Sequence, residues 1–224
     1  MRLNRYIAQS GICSRRKADD LIISGHIKVN GKIITSLGKK IDENKDLVEC
    51  NNQLIKLQNK KIYLALNKPI DYISSNSSAQ GKSILDLINI KERIYPVGRL
   101  DKNSRGLILL TNDGEFAYKL TQAKFKHEKE YQVILDKPLK SKDKNKLETD
   151  MVLDSEVIRG IKVKQVAGSK VNLILQEGVN RQIRRMMKKI GYKVKDLQRI
   201  RIGKLYLNNL PEGQYKEIKP NDVI

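Results

Sequence analysis

The chain has 224 residues, 45 of them lysine or arginine against 25 acidic ones, for a formal charge of +20, while 39% of positions are hydrophobic. That length supplies one large core and a small second one rather than three, and the basic surplus favours a polyanionic partner, because cations that neutralise phosphates release condensed counterions. Two cysteines (Cys13, Cys50) and two histidines (His26, His127) are too sparse for a disulfide framework or a zinc site, and no signal-peptide h-region or run of about 18 apolar residues occurs, which predicts a cytoplasmic protein with reduced thiols and no structural metal.

Along the chain, Leu3, Tyr6 and Ile7 share one helical face, and Gly11 can end that turn. Ser14 can cap a second helix that carries Ala18, Leu21 and Ile22 inward, and Gly25 ends it. Arg15, Arg16 and Lys17 at the start of that helix, with Arg2 and Arg5 on the first, gather cations suited to a phosphate backbone, although a solvated helix start has the same spacing. Asn30-Gly31 between two short apolar-alternating runs predicts a two-residue hairpin turn. Polar Asn51-Asn52-Gln53 and Gln58-Asn59-Lys60-Lys61 then bracket one short strand and set a boundary near residue 60, dividing the chain into 1–60 and 61–224.

Beyond that boundary, strands over 62–66, 107–110 and 131–135 alternate with helices near 83–89, 114–122 and 140–148, an α+β pattern. Consecutive strands over 156–177 turn at Ala167-Gly168-Ser169, and Asn180 can cap a helix running to about Ile190. The lysine-rich stretch 137–146 reads as a solvated helix face. Residues 181–204 hold ten lysines or arginines and a single acid, Asp196, which predicts a positive stripe able to grip RNA.

One loop stands out chemically: Val97-Gly98-Arg99-Leu100-Asp101-Lys102-Asn103-Ser104-Arg105-Gly106-Leu107. Its carboxylate lies between arginines in a glycine-punctuated segment that leads into an apolar strand, a rigid support for an exposed group. Flanking guanidiniums favour the ionised form that a nucleophile or general base requires. By composition alone, Asp101 could equally cap a turn or pair with Arg99 or Arg105.

Two resemblances sharpen this reading. Arg2-Leu3-Asn4 to Gly11, Ser14-Arg15-Arg16-Lys17-Ala18 and Val29-Asn30-Gly31 resemble an S4 RNA-binding domain over about residues 1–48. Gly98-Arg99-Leu100-Asp101 with Gly106-Leu107 and Thr111-Asn112-Asp113-Gly114 is similar to the catalytic motif of the RsuA-like pseudouridine synthases. Leu66-Asn67-Lys68-Pro69, His127-Glu128-Lys129-Glu130-Tyr131 and the segment from Glu177 to Met186 extend the likeness over most of 62–204, with Asp71 departing from the glycine usual after Lys-Pro.

The resemblance implies an S4 module followed by an α+β synthase domain whose mainly antiparallel mixed sheet, flanked by helices, carries Asp101 in a central cleft. It implies Asp101 as the essential carboxylate, Tyr131 as the ring that stacks on a flipped base, Arg184 as the arginine paired with the aspartate, and Leu197 as the wall of the base pocket. By spacing alone, Tyr131 is a strand-face residue and Leu197 a core residue. Arg2, Arg5, Arg15, Arg16, Lys17, Arg99, Arg105, Arg181, Arg185 and Lys188 are expected RNA contacts.

The implied reaction breaks N1–C1′ of a uridine, turns the base and rejoins it through C5, with the aspartate acting as nucleophile or promoting base loss, and it needs no cofactor. Leu100 to Leu107 and His127 to Tyr131 look most like the F-type synthases, which act on 23S rRNA near the peptidyl-transferase region. The implied partner is structured rRNA, naked or in a large-subunit assembly particle, and whether a tRNA is a second substrate stays open at this level; a monomer without membrane attachment is expected. The chain ends at Ile224 without the basic tail of some relatives, so somewhat different RNA recognition is expected. The rival readings are a non-catalytic S4-type RNA-binding or ribosome-assembly factor and, more distantly, a helix-turn-helix DNA-binding regulator.

Overall fold

In the computed structural model, residues 1–58, 60–76 and 81–224 are described; Asn59 of the polar segment anticipated at the boundary lies outside them. They form two compact units, Met1–Lys61 with Ile90–Ile94, and Ile62–Asn89 with Tyr95–Ile224. The return of Ile90–Ile94 to the first unit has no counterpart in a single linear boundary. No helix among the described residues is long and apolar enough to cross a membrane.

The first unit holds helices α1 (Leu3–Gln9) and α2 (Arg15–Ile23) and strands β1 (Ile27–Val29), β2 (Lys32–Ile33), β3 (Val48–Cys50) and β4 (Gln53–Leu54), in an antiparallel sheet of order β2-β1-β3-β4. Ser14 starts α2 as anticipated, its hydroxyl accepting from the Lys17 amide at 3.2 Å. Asn30 and Gly31 both take positive φ, 51° and 76°, the conformation that matches a tight hairpin to strand twist. Asn51 and Asn52, at φ 50° and 63°, make a second such turn between β3 and β4. Leu3, Ile7, Ala18 and Ile22 close over Ile27, Val29, Val48 and Cys50 as one small core.

The second unit contains β5 (Tyr63–Lys68), β6 (Tyr95–Val97), β7 (Arg105–Thr111), α3 (Gly114–Thr121), β8 (Lys129–Leu135), α4 (Ser141–Glu148), β9 (Met151–Leu153), β10 (Glu156–Ile158), β11 (Lys162–Ala167), β12 (Lys170–Leu175), α5 (Gln182–Lys189), β13 (Val194–Ile202), β14 (Leu205–Tyr206) and β15 (Tyr215–Glu217). A nine-stranded sheet runs β11-β12-β8-β13-β7-β5-β15, with β14 beside β13 and β6 beside β7. The β13–β7 pairing is parallel and the other neighbours on that path are antiparallel. This is the mixed, mainly antiparallel α+β architecture that the resemblance implies.

Two apolar clusters form on this sheet. One joins Val133, Leu173 and Leu197 to Ile183, Met186 and Met187, whose i, i+3, i+4 spacing puts them on one face of α5. The other joins Leu107, Leu109 and Ile202 to Phe116 and Leu120 of α3. Side chains of that size each contribute about 1.5–3 kcal/mol when fully buried.

Close approach of β7 to β13 depends on Gly106. At φ 105° it lies where a Cβ would sit 2.3 Å from the Arg199 carbonyl oxygen, so only glycine lets the two strands meet there. Asp71 also has positive φ, 68°, which explains the departure from glycine noted in the sequence. Aspartate is among the few residues with a side chain that visit this region readily, so the loop keeps its shape.

Candidate active site

Between the two apolar clusters of the second unit opens a cavity of about 500 Å³, lined from both: Val97, Leu109, Leu120 and Ile202 on one side, Tyr131, Leu175, Ile183 and Leu197 on the other. A space of that size suits a nucleotide-sized ligand. Its polar lining includes Asp101, Arg99, Lys102, Lys129, Arg181 and Arg199.

Asp101 sits in the loop between β6 and β7, its side chain about one-third exposed. Several bonds fix this loop. The amide of Ser104 donates to the Asp101 carbonyl at 3.0 Å, and the Ser74 hydroxyl both donates to and accepts from the Leu100 backbone at 2.9 and 3.1 Å. Lys68, fully buried, donates to the carbonyls of Pro69 at 2.8 Å and Ser104 at 2.7 Å, with Lys102 at 3.4 Å. Burial pushes its pKa down to about 8, against the opposing pull of Asp101. A carboxylate on so constrained a loop is presented to the cavity with little freedom to move away.

The arginine paired with Asp101 is Arg181, Nη1 to Oδ2 at 3.7 Å, and not Arg184 as expected. The helix starts one residue later than the expected Asn180 cap: Arg181 occupies the cap position itself, in the left-handed conformation at φ 49°. A cation at a helix N-terminus opposes the macrodipole, and the backbone strain adds about 1–3 kcal/mol. At this strained cap Arg181 meets the Asp101 carboxylate. Arg184, one turn further on, instead donates to the Asn103 carbonyl at 2.7 Å, with the Ser104 hydroxyl and Val194 carbonyl at 3.4 and 3.3 Å. It braces the Asp101 loop from behind, and its pKa is pushed down by burial first and by the Arg181 charge second.

Tyr131 and Lys129 enter the cavity because β8 alternates faces. Glu130 between them points the other way, buried, and binds Lys164 at 3.0 Å and Arg201 at 3.1 Å. Burial would raise the Glu130 pKa, but hydrogen bonds from Lys164 and Arg201 outweigh it and lower it.

On β13 strict alternation fails. Leu197 pairs with Val133 and Arg199 with Tyr131, yet Arg201 pairs with Glu130, a register shift of one residue. The bulge sends Arg199 into the cavity and Arg201 to the opposite face, where unbroken pleating would have aligned them. Arg199 is 3% exposed, donates from Nε to the Leu107 carbonyl at 2.7 Å, reaches the Tyr131 hydroxyl at 3.4 Å, and keeps Nη2 without a partner. Beside it, Lys129 has its pKa pushed down to about 8 by burial and then by Arg199.

Asp101, Tyr131 and Leu197 thus meet in the cavity as the sequence suggests, together with Arg99 and Arg181. Two of the expected RNA contacts are engaged within the fold: Arg105 bonds Asp196 from Nε and Nη2 at 2.8–3.2 Å, and Arg185 bonds Asp154 and the Leu153 carbonyl at 3.0 and 3.1 Å. Of the ten cations over 181–204, Arg184, Arg185, Arg199 and Arg201 turn inward onto protein oxygens, while Arg181, Lys188, Lys189, Lys193, Lys195 and Lys204 remain exposed, so the positive stripe is carried mainly by lysines. In the first unit Arg2, Arg15, Arg16 and Lys17 are exposed and Arg5 is half-buried.

Sequence reasoning missed Lys68, Lys129 and Arg199. The two-residue spacing of Lys129 and Tyr131 was an available signal, whereas nothing in the local pattern announces a bulge at 199–201.

Comparison with known proteins agrees with this geometry. The sequence model described as RNA pseudouridylate synthase matches residues 62–189, and that of the S4 domain matches 1–47. The chain is 39% identical over its whole length to "Dual-specificity RNA pseudouridine synthase RluF" of Escherichia coli (strain K12), covering 77% of that protein. It is 38% identical to "Ribosomal large subunit pseudouridine synthase B" of Bacillus subtilis (strain 168), covering 99% of this chain and 93% of that one. A solved pseudouridylate synthase matches with a TM-score of 0.73 at 29% identity, covering 99% and 97% of the two chains. The protein is therefore a member of the RNA pseudouridylate synthase family, an enzyme that joins an S4 domain to the synthase fold.

Proposed function

We propose that this enzyme isomerises a specific uridine of 23S rRNA, at the F-type position, with Asp101 as the reacting carboxylate. The observation that carries the reading is the meeting of Asp101, Arg181, Tyr131 and Leu197 in one nucleotide-sized cavity.

The uridine leaves its stack, which costs a few kcal/mol and less in a loop than in a duplex. Tyr131 and Leu197 offset that loss by giving the uracil an aromatic face and an apolar wall. Arg181, ion-paired with the Asp101 carboxylate, aims it at the sugar, while Arg184 and Lys68 keep its loop in place. The N1–C1′ bond then breaks, the base turns, C1′ bonds to C5, and the C5 proton is lost while N1 gains one, so atoms balance without a co-reactant. Either role open to the carboxylate, attack on C1′ or removal of a proton, requires it unprotonated. Arg199, Lys129, Arg99 and Lys102 give the cavity a surplus of positive charge, suited to the phosphates of the substrate strand.

Mapping pseudouridines in 23S rRNA and tRNA from cells with and without the gene tests the assignment. One 23S position should lose its modification when the gene is deleted. An unchanged map of 23S rRNA would refute the substrate.

A further inference from the structure

After α3 the chain makes a single 3₁₀ turn, Ala123–Phe125, passes through Lys126 at φ 51° and returns as β8. Three rings gather there. Tyr118 and Phe125 meet edge to face with centroids 6.1 Å apart, and Phe125 lies nearly parallel to His127, 6.3 Å away at 25°. The Lys124 ammonium stands over the Tyr118 and Phe125 rings at 5.1 and 5.0 Å.

Packing does not account for this cluster. Phe116 and Leu120 supply the buried face of α3, while Tyr118 is 49% and Phe125 39% exposed. The chain has only two phenylalanines, and one of them is spent on the surface. Exposed lysines 119, 124 and 126 surround the rings. The patch also adjoins the Asp101 cavity: Leu120 and Thr121, within a turn of Tyr118, and Lys129, two residues after His127, line it. Tyr118 and Thr121 lie roughly 4.5 Å apart along the helix axis.

We propose that Tyr118 and Phe125 form a second stacking site, beside the catalytic cavity, for an unpaired nucleobase of the substrate RNA that flanks the target uridine. The proposal rests on the reading of the cavity as the site of a flipped uridine in RNA. Aromatic faces interleaved with cations bind single-stranded RNA, because every base has a face to stack and every linkage a phosphate to pair. An exposed cation–π contact is weaker than a stacked base, so the incoming base displaces Lys124 from the rings and leaves its ammonium beside the phosphate. The platform holds the strand next to the gap that the extruded uridine leaves.

A binding cycle tests this. The probe is a fluorescent stem–loop of 23S rRNA carrying the F-type uridine, used intact and with each flanking nucleotide in turn made abasic. Equilibrium affinity is measured for the wild type and for the Tyr118→Leu/Phe125→Leu double variant, which keeps apolar bulk and removes the rings. The double variant should bind intact RNA roughly tenfold more weakly. One abasic position should cost the wild type the same factor and cost the variant nothing. Equal abasic losses in both proteins at every position, or an unchanged affinity of the variant, would overturn the site and point to a role in protein contact or folding. Should the double variant melt early, Lys124→Glu on an exposed side chain supplies the second arm, with at least the same loss expected and no loss overturning the proposal. Turnover does not enter the measurement: an inactive wild type would refute the proposed reaction, whereas an additive cycle in an active enzyme would refute only the platform.

Discussion

The first unit and the β8–β13 region of the second carry similar concentrations of arginine and lysine and use them in opposite ways. Arg2, Arg15, Arg16 and Lys17 lie on the outside of the two-helix module, where water solvates them and salt screens them. In the second unit Arg184, Arg199 and Arg201 are drawn inward onto named oxygens. A solvated cation contributes attraction without direction, whereas an enclosed one has a fixed donor geometry and a large penalty for being left unpaired. The same residue type is therefore left solvated in one region and fixed on protein oxygens in the other. Counting charges along the chain cannot separate the two.

The sharpest way to break this contrast lies at the Asp101 ion pair. Arg181→Leu should lower the rate of pseudouridine formation by roughly 10²–10³-fold at saturating RNA, as for loss of one aligned charged donor. Near-normal activity in that variant, with inactivity in an Arg184→Leu enzyme that still binds RNA and folds, would return the pairing role to Arg184.

Arg199 tests whether an inward cation serves the site or the fold. Replacing it with methionine removes the unpartnered Nη2 but also takes the buried Nε donor from the Leu107 carbonyl, so stability to urea should fall by about 1–3 kcal/mol, while activity per folded molecule falls by about tenfold or more. A large stability loss with activity per folded molecule intact would make Arg199 a structural residue.

Lys129 gives the contrast a pH axis. Its pKa of about 8, against an ordinary 10.5, means that the cavity loses one positive charge as pH rises through 8. RNA affinity should therefore weaken between about pH 7 and 9, by up to roughly tenfold. The sign for stability is opposite: between about 8 and 10.5 the unfolded chain holds a proton that the folded chain has released, so this group's contribution to stability rises with pH across that window. Lys129→Arg, charged throughout, should abolish the affinity step; a step that persists belongs to Lys68, whose pKa is also about 8.

The smallest effects are expected from the outward cations. Arg15→Ala and Arg16→Ala should each weaken RNA binding a few-fold and reduce the salt slope by about 0.7–0.9 for every phosphate that is no longer neutralised. An unchanged slope would show that these residues meet no phosphate.

How far the sequence revealed this molecule follows from which features are local. The Ser14 cap, the Asn30-Gly31 turn and the alternation of β8 depend on a few adjacent residues, and each appears where the pattern places it. The Asp101 loop could be recognised because its motif is contiguous, although the bonds from Lys68, Ser74 and Arg184 that stiffen it come from distant segments. Arg184 is the arginine that the Gln182-Ile183-Arg184 step of the resemblance points to, whereas the contact of Arg181 with Asp101 follows from a left-handed backbone at Arg181 that no propensity favours. Arg199 was hidden by a bulge, which reverses the facing of every residue beyond it. Ile90–Ile94 joins the first unit through long-range contacts that have no periodic signature.

The most direct measurement of the central claim is tritium release from C5-labelled uridine in a 23S rRNA fragment, by the wild type and by Asp101→Asn, with RNA affinity measured in parallel. The Asn variant should bind within about threefold of the wild type and release no tritium above background, a loss of at least roughly 10²–10⁴-fold. Release at a wild-type rate would contradict the assignment of Asp101 and leave the cavity as a binding site whose chemistry lies elsewhere.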